Sequence, residues 1–215
     1  MKKNQLISFV VILLLLVPTF TSAQLIKIGA GGGITQVLAP DKLTKEVSDG
    51  GLGYSTEWNG GIIGKVDVPM LPITPRAFIL YHSLSGSGDY IPEEIFKIAQ
   101  AENEIEYSQS ILEIGIGAQY NFIPAPLGFD PYISLDISFN SFGEPKSEYL
   151  GQEYKTDGFN RFGGGLGVGT EISIIPVVNL DLYLSYKMFN LTGKEDGEDT
   201  ISAVTLDAFI IFNFL

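Results

Sequence analysis

From residue 26 onward, apolar and polar positions alternate with a period of two, and the alternation recurs in eight segments. In 26–35, Ile26, Ile28, Ala30, Gly32 and Ile34 share one face, opposite Lys27, Gly29, Gly31, Gly33 and Thr35. In 54–68, Trp58, Gly60, Ile62, Gly64, Val66 and Val68 oppose Glu57, Asn59, Gly61, Lys65 and Asp67. Segment 76–84 is apolar on both parities, and its faces stay open. Four further stripes run through Leu112–Phe122, Ile133–Phe139, Phe162–Ile172 and Leu180–Met188, and a last one through Val204–Phe214. In the seven segments with clear faces, all eleven charged residues fall opposite the apolar stripe: Lys27, Glu57, Lys65, Asp67, Glu113, Asp136, Arg161, Glu171, Asp181, Lys187 and Asp207. Side chains of a strand point alternately to its two faces, so this pattern predicts β-strands with one apolar and one polar side.

The connections alternate as well. Those at 69–75, 123–131 and 175–179 are short and carry proline, which donates nothing to a ladder and so predicts turns. Those at 38–53, 86–109, 143–158 and 191–200 are long, and together hold 17 acidic against 6 basic residues. Short turns at one end and long loops at the other predict an all-β fold, an antiparallel up-and-down transmembrane barrel of eight strands with both termini on the short-turn side. Within 86–109, Pro92-Glu93-Glu94 followed by Ile95, Ile98 and Ala99 reads as a short helix; two strands there instead would make ten.

A soluble barrel alternates too, with its apolar face inward. Three features favour lipid outside. Glycine runs (Gly29, Gly31, Gly33; Gly163, Gly165, Gly167, Gly169) lie on the polar face, where they suit a crowded lumen better than a solvated surface. Aromatic residues cluster near strand ends: Trp58, Phe139, Phe162 and Tyr186 toward the long loops, and Tyr120, Phe122, Tyr132, Phe212 and Phe214 toward the short turns. Such belts suit the two lipid–water interfaces. The last segment runs to the end of the chain, as a strand that closes on the first one would.

Residues 1–23 read as a signal peptide: Lys2 and Lys3, an apolar run from Leu6 to Val17, then Thr21-Ser22-Ala23. The run is shorter than the roughly 20 residues of a membrane-spanning helix. The domain would then be 24–215. Without Lys2 and Lys3 the net charge of −12 becomes −14, which argues against nucleic acid as a partner. The chain has no cysteine, so pairing and packing must supply its stability in an oxidising compartment.

The glycine-rich segment Arg161-Phe-Gly-Gly-Gly-Leu-Gly-Val-Gly169 and the closing segment 204–215 resemble the small OmpA-like and OmpX-like outer-membrane β-barrels of Gram-negative bacteria. The resemblance implies outer-membrane lipids as surroundings and the barrel-assembly machinery as partner during insertion. That machinery usually reads a final aromatic residue; here Phe214 is penultimate and Leu215 follows. The motifs point to an architecture rather than to an activity.

An eight-stranded barrel has an interior that side chains fill. The eleven charged residues then predict a luminal ion-pair network, a plug rather than an ion path. Enzymatic chemistry finds little support. The single histidine, His82, has Leu84 two residues on, while Ser83 and Ser85 lie on the opposite face, so a Ser-His site is not set up and His82 reads as a rim residue. No glycine run matches a nucleotide-binding motif, and Lys194-Glu-Asp-Gly-Glu-Asp199 lacks the ligand spacing of a calcium loop. The expectation is therefore a non-enzymatic barrel with no cofactor and no metal, displaying four acidic loops to an unknown surface ligand. A small pore or conduit for apolar molecules is the rival, and a lipid-modifying enzyme a more distant one.

Overall fold

The computed structural model describes residues 25–68, 71–89, 104–122, 128–149 and 152–214. The signal-peptide reading and the proposed helix near residue 92 lie outside them. Strand β1 (Leu25–Ala39) is followed by a single helical turn, α1 (Asp41–Thr44), and then by β2 (Thr56–Asp67) and β3 (Ile73–Asp89). Next come β4 (Glu104–Asn121), β5 (Phe129–Phe142), and the short β6 (Lys146–Tyr149) and β7 (Gln152–Lys155). Strands β8 (Phe159–Ile175), β9 (Val178–Thr192) and β10 (Ser202–Phe214) complete the chain.

Eight of these strands form a closed antiparallel ring, β1-β2-β3-β4-β5-β8-β9-β10, with β10 returning to β1. The two extra strands are β6 and β7. They form a hairpin that pairs with the loop end of β4 at Glu106–Ser108, so the additional pair sits in the third long connection and not in the second. Strands β3 and β4 rise together well above their neighbours, pairing out to Asp89↔Glu104, so part of what reads as acidic loop is strand. Pro75 and Pro131 are inside strands, each at the third position, where the ladder is only beginning.

Following paired residues once around the ring gives the stagger. Lys27 leads through Lys65, Arg76, Gly117, Asp136, Gly165 and Lys187 to Ala203, which pairs with Val37. The circuit starts at residue 27 and returns at residue 37 of the same strand, a shear of ten residues. Eight strands with such a stagger tilt by about 35–45° and enclose a bore that side chains fill.

Cross-strand partners share a face, so the alternation seen along each strand adds up to two surfaces. Outside are apolar side chains: Leu135 and Ile137 are each 63% exposed, with Ile116, Leu166 and Trp58 close behind. Inside are buried Lys27, Lys65, Arg76, Glu113, Asp136, Glu171, Asp181, Lys187 and Asp207. A soluble barrel has the reverse arrangement. The open faces of β3 are resolved the same way: Arg76, Phe78, Leu80, His82 and Leu84 point in, and Ile79 and Tyr81 point out.

Closure demands close backbone approach at the β1–β10 seam. A Cβ on Gly33 would lie 1.8 Å from the Leu206 carbonyl oxygen, and one on Gly31 2.0 Å from that of Ala208. A Cβ on Gly60 meets nothing nearer than 3.4 Å. Gly33→Val should therefore weaken the barrel by about 1–3 kcal/mol or more, while Gly60→Ala leaves it unchanged. Urea unfolding from lipid, followed by the fluorescence of Trp58 and by heat-modifiable gel migration, reads the difference.

Candidate functional site

The interior is built in tiers, beginning at the short-turn end. Lys27 Nζ lies 2.6 Å from Glu171 and 2.8 Å from Asp67; Lys65 Nζ lies 2.6 Å from Asp181 and 3.3 Å from Glu171. Asn179 Nδ2 donates to Glu171 (2.5 Å) and the Tyr132 hydroxyl donates to Asp181 (2.7 Å). In the next tier Arg76 forms a fork on Asp136, with Nε donating to Oδ1 at 2.8 Å and Nη2 to Oδ2. Arg76 also donates to the Tyr183 hydroxyl (2.5 Å), which donates onward to Asp136 (3.0 Å), and the guanidinium stacks over the Tyr183 ring at 4.3 Å. Ile63, Phe78, Leu80, Phe209 and Ile211 fill the space beside it. The gap left between Arg76, Phe78, Tyr183, Lys187 and Phe209 is about 10 Å³, room for one water at most.

The third tier holds His82. Its Nε2 lies 3.0 Å from Glu113, which also takes Lys187 Nζ at 2.5 Å; its Nδ1 lies 2.8 Å from Thr35 Oγ1. A carboxylate only accepts, so Nε2 carries a proton. Asn59 Nδ2 donates to Thr35 (3.0 Å), and Ser185, Thr205 and Asp207 form a second short chain of hydrogen bonds. Above this tier an apolar layer crosses the mouth: Val37, Tyr54, Leu84, Ile111, Phe142, Phe189, Ile201 and Ala203, flanked by Leu43, Leu52, Tyr107 and Phe159.

Two of the expected luminal residues stand outside these tiers. Arg161 sits over the mouth, its Nη2 donating to Glu198 at 2.6 Å, and Glu57 accepts from Ser85 at the loop end of β2. Asp67 is partly exposed at the opposite end. The other eight are buried, in separate tiers rather than one continuous network.

Three interior residues escape the sequence reading. His82 is fully buried, not at a rim. Arg76 supplies the cation that Asp136 needs. Both stand on β3, where apolar residues on either parity hide the pattern, yet Arg76 and His82 share a parity and neither suits lipid. That shared parity was the available signal. Tyr132, placed among the interface aromatics, points inward and is 1% exposed. It has the parity of Ser134 and Asp136, and Asp181 satisfies its hydroxyl. The remaining aromatics, Trp58, Tyr120, Phe122, Phe139, Phe162, Tyr186, Phe212 and Phe214, are on the outer face. Trp58 packs on Tyr81 and Phe139 on Phe162, each at 5.5 Å between ring centres, and Tyr120 lies 5.6 Å from Phe122.

Thr35, His82 and Glu113 have the order of a hydroxyl, a base and an acid. All three are buried beneath the apolar layer, and nothing on the surface reaches the Thr35 oxygen. The arrangement orients charge within the bore.

Removing one partner of a buried pair strands the other charge. Arg76→Met should cost about 3–5 kcal/mol in urea unfolding from lipid. Adding Asp136→Leu should recover most of that loss, because the two charges then leave together.

No protein-family model matches the chain, and no curated protein matches it in sequence. Solved structures do. A major outer membrane protein from Thermus thermophilus has TM-score 0.61 and 12% identity, over 89% of this chain and 100% of that one. Neisserial surface protein A has TM-score 0.54 and 15% identity, over 88% and 97%. Ail of Yersinia pestis, in complex with the heparin analogue sucrose octasulfate, has TM-score 0.50 and 10% identity, over 89% and 99%. At such identities the likeness is one of fold. A closed eight-stranded ring, apolar without and charged within, gives this chain the fold of the small outer-membrane β-barrels to which it is similar.

Proposed function

We propose that the protein is a non-enzymatic, non-conducting barrel whose role is structural or adhesive, exercised through the surface it presents beyond the membrane. The observation that carries this reading is the interior itself. Three polar tiers and an apolar layer occupy the bore in succession, and the gap between the second and third tiers has room for one water at most. The outward aromatics would sit at the two lipid interfaces, with lipid as the constant partner.

The loop end is built as a fixed platform. Glu198 of the last connection takes the Arg161 guanidinium and the Asn190 side chain (2.7 Å), while Asn190 also binds Asp199 O and Ile201 N. Lys42 of α1 reaches Asp199 at 3.0 Å and so ties the first connection to the last. The surface above is acidic, which suits a cationic or neutral partner better than a polyanion of the kind bound by Ail.

Single-channel recording in planar bilayers tests the sealed bore: the folded protein should give no steady conductance, and stable unitary steps would refute the reading. The enzyme alternative is addressed by His82→Gln, which should leave membrane lipid composition unaltered by mass spectrometry.

The platform has its own pH signature. The hydrogen bond from Arg161 holds the Glu198 carboxyl at about 2, against an ordinary 4.5. A depressed carboxyl stabilises the folded loop fully above its unfolded value and loses that contribution as pH falls through the folded one. Amide resonances of Asn190 and Ile201 should therefore stay fixed from neutrality to about pH 4.5 and shift only as pH approaches 2. In Glu198→Gln they should lose this acid transition.

A further inference from the structure

The β8–β9 ladder breaks at Gly163. Phe162 pairs with Thr192 and Gly164 with Met188, so Phe189, Asn190 and Leu191 stand against a single residue. Such a bulge releases backbone groups and bends the strand. Around the break, Asn140 Nδ2 donates to Phe189 O (2.6 Å), Phe189 N donates to Ile201 O (2.9 Å), and Ile201 N donates to the Asn190 side chain (2.5 Å). Phe189 and Asn190 turn inward, while Leu191 is thrown outward.

On the lipid side this leaves a notch of about 450 Å³, walled by Ile116, Ile137, Phe139, Phe162, Leu191 and Thr192. No charged residue lines it. Gly164, paired with Ile137, borders it, and a Cβ there would meet only the Asp136 carbonyl oxygen at 3.2 Å and Leu191 Cδ2 at 3.9 Å. The volume is within the roughly 300–1,000 Å³ of small-ligand sites.

We propose that the notch is a binding site for one acyl chain of an outer-leaflet lipid. The occupant follows from position. The notch is continuous with the lipid-facing wall and opens beside the Phe139–Phe162 pair on the long-loop side, which faces the outer leaflet. In hydrocarbon, the ligand that fills an uncharged recess is the hydrocarbon chain beside it. Bare Gly164 leaves space beside Leu191, and the inward turn of Phe189 and Asn190 leaves Leu191 to form one side. A chain seated there touches protein on several sides, whereas a chain on the even wall touches one, so it should exchange more slowly.

The ring supplies its own control. Trp58, the only tryptophan, stands on β2, four strands from β8 in a ring of eight and thus on the opposite wall. The full-length protein is reconstituted in nanodiscs of phosphatidylcholine brominated on its acyl chain, then moved into detergent free of brominated lipid. A Trp58→Phe/Phe162→Trp variant reports the notch, and the wild type reports the opposite wall. The Phe162→Trp reporter should keep most of its quenching while Trp58 loses its own. Filling the recess by Gly164→Leu, or from the other side by Ile116→Phe, should bring the reporter's quenching down to the Trp58 level. Heat-modifiable migration identifies which filling variant has folded, and either one suffices. Parallel loss of quenching at both tryptophans overturns the proposal, as does retention that survives a folded filling variant.

Discussion

An unpaired peptide group in hydrocarbon costs several kcal/mol, and no water is there to relieve it. The pairing of β1 with β10 is therefore the contact on which the rest depends, since it removes the last two edges of the sheet. The glycines that permit it are not generic flexible residues. At Gly31 and Gly33 the carbonyl oxygens of β10 occupy the space that a side chain would need. Once the ring is closed with eight strands and a shear of ten, its bore is fixed. The bore is narrow, it must be filled, and the residues that fill it come from one parity of every strand. The chemistry of the interior is in this sense a consequence of closure.

Filling the bore with charge is not the most stabilising choice. Buried ion pairs break even at best against well-packed apolar residues. What they supply is register. A slip of one residue in any strand exchanges its two faces, which would carry Lys65, Arg76 or Lys187 into lipid. A basic side chain there costs about 2–4 kcal/mol at the bilayer midplane, and its former partner would remain buried and alone. The alternation is thus enforced from both sides: apolar residues gain by facing lipid, and charged ones are penalised for doing so. The tiers divide this task among Lys27 with Lys65, Arg76 with Asp136, and Lys187 with Glu113 and His82, so each segment of the wall has its own lock.

This also explains what could be read from the sequence. All eight ring strands were legible because a lipid-facing stripe needs apolar residues at every second position, and because eleven charges obeyed the opposite parity. Strand β3 resisted because its interior positions carry Phe78, Leu80 and Leu84, which pack against the other apolar fillers of the bore; an interior of mixed polarity erases the contrast. Tyr132 resisted for a related reason, since an aromatic ring with a hydroxyl suits either an interface or a buried carboxylate, and only Asp181, 49 residues away, decides between them. The hairpin β6–β7 was hidden by length: four-residue strands of alternating charge have no apolar stripe. The pairing of Arg76 with Asp136 and of His82 with Thr35 depends on register around the ring, which no local pattern carries.

Polar tiers alone would not make the bore a barrier, because hydrogen-bonded groups can be reached by water from an open end. The apolar cluster of Val37, Tyr54, Leu84, Ile111, Phe142, Phe189, Ile201 and Ala203 lies across the bore on the loop side, and it is assembled from several different strands and two connections. Phe189 has the inward parity of Lys187 in any case, but the two residues after it owe their places to the bulge: with regular pairing Asn190 would point into lipid and Leu191 into the bore. The same irregularity places Asn190 where it fastens the last connection through Glu198, Asp199 and Ile201. The bulge in β9 thus joins two features, the latch on the loop and the recess in the outer wall. A regular strand would provide neither. The sequence Met188-Phe-Asn-Leu191 is where this barrel departs from a plain cylinder, and its particular properties gather around that departure rather than around its single histidine.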